Sequence, residues 1–163
     1  MIKKALLTGL LLAAGAQQAA ADGKIFVQLP DLSAYSGAQA EEFLERVVLA
    51  NVVSSNCPGF EVTDEEWSLL TDSAALLAYG QLKLNTGDYD DTYYAPAFNA
   101  LDEAGTCAEK GPDVEAVLDE LVERGGSREA LPDQDAAYEE WRALMDRLEA
   151  EANAPAAGKT KTK

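Results

Sequence analysis

From Ser36 to Ala152 apolar side chains recur every three or four residues, in stretches closed by Gly or Pro and never alternating with polar ones. That period buries a stripe along a helix and cannot bury one face of a strand, so the chain is constrained to packed helices. The first stretch opens near Ser36, with Gln39 three residues on as a capping-box pair, and carries Phe43, Leu44, Val47, Val48 and Ala50 until Cys57-Pro58-Gly59 stops it. The second has the strongest start. Thr63 stands at the cap, Glu66 three residues later, Val62 and Trp67 at the positions of a hydrophobic staple, and three acids at the positive end of the helix dipole. Trp67, Leu70, Ala74 and Leu77 then mark a core helix running to Asn85-Thr86-Gly87.

A third segment covers about Asp90 to Ala104 and contains Pro96. Proline inside a helix costs about 3 kcal/mol, so this helix begins near Ala95 or kinks there. The fourth runs from Pro112 to Gly125-Gly126 with Val114, Val117, Leu118, Leu121 and Val122 on one face. The fifth runs from about Asp133 to Ala152 with Tyr138, Trp141, Leu144, Met145 and Leu148. Short connections between such elements predict an all-α fold, a small antiparallel bundle of four to five helices. Ahead of it, residues 22–35 include the β-prone Lys24-Ile25-Phe26-Val27-Gln28-Leu29-Pro30 with no second strand in view, which reads as an extended arm laid on the helices. The helical domain is then 36–152. Residues 153–163, with Lys159, Lys161 and Lys163 among small residues and threonines, are expected to form a disordered basic tail.

Residues 1–21 carry a different signature. Lys3 and Lys4 precede an uncharged run rich in leucine, and Ala19 and Ala21 supply the small residues of a cleavage site. This is expected to be a signal peptide, cut after Ala21, that delivers the protein to the periplasm. The apolar run is too short to span a bilayer, and no later stretch replaces it, so no integral membrane segment is expected after cleavage. In an oxidising compartment the two cysteines, Cys57 and Cys107, are expected to pair. Closing so long a loop stabilises the fold by roughly 4 kcal/mol in the chain-entropy model. The bond would tie the end of helix one to the end of helix three.

The formal net charge is −16, and losing Lys3 and Lys4 with the leader takes it to −18. Nucleic acid and anionic membrane are poor partners for such a chain. Histidine is absent, which removes Ser-His-Asp and Cys-His catalysis and the usual zinc ligand sets. No catalytic residue, metal site or cofactor site is assigned, and no enzyme is expected. The densest polar cluster is Tyr89, Asp90, Asp91, Tyr93 and Tyr94. Its glycine, Gly87, precedes the acids and no glutamate follows at the right distance, so it is not an EF-hand calcium loop. These five residues are either a partner-recognition surface or a helix entry with tyrosine rings packed beneath it. Trp67 and Trp141 both fall on apolar faces and are expected in the core.

The block Cys57-Pro58-Gly59-Phe60-Glu61-Val62-Thr63-Asp64-Glu65-Glu66-Trp67, continuing to Cys107, resembles uncharacterised small exported helical proteins of alphaproteobacteria over residues 36–126. That resemblance implies compartment and fold only. In layout the chain is also similar to small periplasmic acid-stress chaperones, helical proteins with one disulfide around a central helix. The expected function is a non-enzymatic soluble periplasmic accessory protein that binds another envelope protein, with the oligomeric state left open. An acid-stress chaperone is the first alternative, and a small carboxylate-dependent hydrolase is the second.

Overall fold

The computed structural model describes residues 23–154; the expected leader, its cleavage point and the tail from 155 onward lie outside the described residues. The elements are α1 (Ala38–Asn56), α2 (Asp64–Ala75), α3 (Thr86–Tyr89), α4 (Ala95–Ala100), α5 (Thr106–Lys110), α6 (Asp113–Glu123) and α7 (Gln134–Ala152). Two π-helical turns are spliced in: Leu76–Gln81 prolongs α2, and Asp90–Tyr94 joins α3 to α4 in one continuous run. The fold is the all-α bundle that the periodicity predicts, closed by the disulfide expected of the two cysteines.

α1 is the central helix, packed against α2, α6 and the Asp90–Ala100 run. It therefore buries more than one face: Phe43, Leu44, Val47 and Val48 on the predicted stripe, and Val52, Val53, Asn51 and Ser54 near its end. Each fully buried branched or aromatic side chain here stabilises the fold by about 1.5–3 kcal/mol. The Ser36–Gln39 capping box does not form. The turn Leu32–Tyr35 runs straight into Gly37 at φ 49°, ψ −134°, a backbone state suited to glycine, and α1 starts at Ala38 with no side-chain cap. The box on α2 does form, with Glu66 N donating to Thr63 Oγ1 at 3.2 Å and Thr63 N donating to Glu66 Oε2 at 3.0 Å. Trp67 of the expected staple departs from its reading. It lies on the flank of the buried stripe of α2 and is 39% exposed, whereas Trp141 is half-buried.

Pro96 is accommodated rather than avoided. Ala95 N donates to Asp90 O, five residues back, so the ladder has already slipped by one residue where proline has no N–H to give. The run ends at Ala100, short of the expected Ala104, and Thr106 Oγ1 closes the following turn by donating to Ala100 O at 2.6 Å. The short α5 then carries Cys107. The disulfide joins it to Cys57, the C-cap of α1, across a sequence separation of 50 and a Cα–Cα distance of 5.4 Å. Its second anchor is thus α5, not the end of helix three, because helix three stops one turn early. The loop it closes contains α2 and the Asp90–Ala100 run.

The arm finds a pairing partner after all. Val27 forms an antiparallel bridge with Ala130 in the loop between α6 and α7. Leu131 N donates to Phe26 O and Ser127 N to Gln28 O, both at 2.9 Å. The Gln134 side chain both accepts from Phe26 N and donates to Phe26 O. Phe26, Val27 and Leu32 are buried beneath these bonds. On α6, Val114, Val117, Leu118 and Leu121 are buried, but Val122 is exposed at the rim.

Candidate functional site

The five residues of the Tyr/Asp cluster separate. Tyr89 is buried, its ring edge-on to Tyr79 at 5.6 Å and to Tyr94 at 5.2 Å. Burial pushes the Tyr89 hydroxyl well above the ordinary tyrosine pKa and raises that of Tyr94 as well. These two rings fasten the π turn to the core. Asp90 and Asp91 are exposed on its outer side. The cap of this run is Asn85, whose Oδ1 accepts from Asp88 N at 2.9 Å. Tyr93 points the other way, towards α1, and lines a groove.

That groove lies between α1 and the Asp90–Ala100 run and has a volume of about 500 Å³. One wall is a single stripe of α1: Ala38, Glu41, Glu42, Glu45 and Leu49. The facing wall is Thr92, Tyr93, Pro96, Ala97 and Ala100. The cause is local. Alanines stand where larger residues would interdigitate and fill the space, so the two helices are in contact below but leave a cleft above. Glu41, Glu42 and Glu45 are exposed, and every ion pair among the described residues lies elsewhere. The Tyr93 hydroxyl is held above its ordinary pKa, first by burial and then by the negative charge of Glu41 and Glu45.

What such a groove can do is limited by where its charges stand. All three carboxylates project from one wall and face hydrocarbon and two hydroxyls. Glycoside hydrolysis needs two carboxyl groups flanking the bond from opposite sides. Three carboxylates beside hydrocarbon give the groove a negatively charged, partly apolar lining. Sequence reasoning passed over these glutamates because outward-facing acids on a helix read as a solvated face. What distinguishes them is the row of small residues opposite, more than forty positions away in the chain.

A second polar centre went unread for a similar reason. Asp72 on α2 is only 2% exposed. Lys24 Nζ donates to its Oδ1 at 2.5 Å and lies 4.3 Å from the Trp141 ring centroid. Phe26 packs on Trp141 at 5.5 Å between centroids. Burial holds the Asp72 carboxyl above its ordinary pKa, against the opposing pull of Lys24 and of the Trp141 N–H. A third centre is the contact of Tyr35 and Arg46 with Glu120, at 2.6 and 2.9 Å, beneath Arg124 over the Tyr35 ring. Both centres join the arm to helices, Lys24 to α2 and α7 and Tyr35 to α1 and α6, and they read as fasteners.

Among the described residues no group of three or more potential ligands could hold a metal ion, and no helix is long and apolar enough to cross a membrane. Compared with protein-family models, curated proteins and solved structures, the chain matches none.

Proposed function

We propose that this protein is an exported, non-enzymatic binding module that holds a partner protein of the envelope in the groove between α1 and the Asp90–Ala100 run. The observation that carries the reading is the combination in that groove of a largely apolar wall and three exposed glutamates that make no ion pair among the described residues. Hydrocarbon that a fold leaves uncovered beside unbalanced charge is a surface built for something else to cover. The disulfide fits an oxidising compartment, in keeping with the leader read from residues 1–21. The central position of α1, clamped at its C-cap by that bond, keeps one wall of the groove rigid, so binding costs little ordering of the site.

A photo-crosslinking side chain at position 93 tests this. In envelope extract it should trap a discrete partner that the same side chain at position 139, on the exposed face of α7, does not trap. Ala100→Trp, which fills the groove without changing charge, should abolish the product while the circular dichroism spectrum stays helical. Equal trapping at both positions, or trapping that ignores the plug, would sink the proposal.

A further inference from the structure

We infer that the occupant of the groove is an amphipathic helix of the partner, about three turns long, with Lys or Arg one turn apart on the side that meets Glu41 and Glu45. This rests on the binding-module reading and adds to it the kind of partner.

Helical geometry comes first. Both walls are helical stripes, spaced three to four residues apart, over Ala38 to Leu49 on α1 and Thr92 to Ala100 opposite. At 1.5 Å per residue the α1 stripe is about 16 Å long, three turns. Two helices side by side offer ridges and grooves that a third helix can enter with its own side-chain ridge. An extended segment is a poor fit. The wall backbones are already hydrogen-bonded within their own helices, and there is no strand among the described residues whose edge could pair with it. Its N–H and C=O groups would lie against hydrocarbon without partners, whereas a helix arrives with its own satisfied.

Charge then selects the face. Glu41 and Glu45 are one turn apart on the same side of α1, exposed and free of ion pairs among the described residues. Cations with the same spacing on a docked helix meet both carboxylates while the apolar residues between them reach Leu49, Ala97 and Pro96. A small polyamine could meet the acids but would leave that wall bare.

The probe is a fluorescently labelled synthetic peptide of leucine, alanine and lysine, patterned as a four-turn amphipathic helix. It is compared with a scrambled isomer of equal charge and with spermine as competitor. Fluorescence anisotropy should show the patterned peptide binding at least about tenfold more tightly than its isomer, and circular dichroism should show it gaining helix on binding. Reversing both acids, Glu41→Lys with Glu45→Lys, should weaken binding at least about tenfold, since two attractions are lost and two repulsions take their place. The equal reversal on α7, Glu139→Lys with Glu149→Lys, should leave affinity within about twofold.

Equal binding of the scrambled isomer, full displacement by equimolar spermine, or equal loss from the two reversals would overturn the inference. The last outcome would reduce the attraction to net charge. If Ala100→Trp abolishes the crosslinked partner but reversal of Glu41 and Glu45 does not, the groove reading stands and the cationic helix is wrong. If neither variant changes the crosslink, the groove reading itself is wrong.

Discussion

Phe60 lies over Gly111 so closely that a Cβ there would stand 2.3 Å from its ring carbons. No carbon contact in a packed interior is that short, so Gly111→Ala must push the ring aside and is expected to destabilise the fold by about 1–3 kcal/mol in a denaturant titration. An unchanged midpoint would mean the ring moves at no cost. The other residue-scale feature is Asp72, whose effect runs opposite to that of Glu120. Its folded pKa is raised by burial, so the folded state holds the proton more tightly than the unfolded chain. Its contribution is therefore present at low pH and is lost as pH rises from about 4, the unfolded value, through the folded pKa. Glu120 has the opposite sign. Although partial burial raises it, hydrogen bonds from Tyr35 and Arg46 bring its pKa below the ordinary value, so its contribution is lost as pH falls. Melting temperatures from pH 3 to 7 should show the wild type losing stability relative to Asp72→Asn as pH rises through that window. Parallel curves would contradict the assignment. Asp72 thus resists the acid loosening that a chaperone triggered by low pH would require. No sequence pattern distinguishes this aspartate, because its burial depends on Lys24 and Trp141 arriving from opposite ends of the chain.

At the scale of elements, what was legible is what is encoded locally. The Thr63–Glu66 box is complete within four residues, and it forms as read. Thr63→Ala should cost about 1 kcal/mol, while Ser36→Ala, at the box that Gly37 prevents, should change stability by no more than a few tenths. Matching losses at both sites, measured by thermal or denaturant unfolding, would refute this difference. The same locality made the spans of α1, α6 and α7 readable to within a few residues. It did not reveal α5, which at five residues is too short for periodicity to register, nor the π turn that reconciles Pro96 with a continuous run. Trp67 and Trp141 fall on similar stripes in sequence. Only the arm, arriving as Lys24 and Phe26, covers Trp141 and leaves it the less exposed of the two.

For the molecule as a whole, the disulfide was legible from two cysteines and the expectation of a leader, since a pair has only one pairing. Its bond holds the C-cap of α1 to α5 and closes a loop that contains one entire wall of the groove. Replacing both cysteines with serine should lower stability by roughly 2–5 kcal/mol; a variant that unfolds where the wild type does would show the bond to be dispensable. The groove was not legible, because it is a relation between two helices whose residues are individually unremarkable: outward glutamates on one, small side chains on the other. The most direct measurement is a two-dimensional amide NMR titration of the full chain with the patterned cationic peptide. Chemical-shift changes are expected to concentrate at Ala38 to Leu49 and Thr92 to Ala100, with α7 silent. Changes spread evenly over the acidic surface, or centred on α7, would contradict docking in the groove.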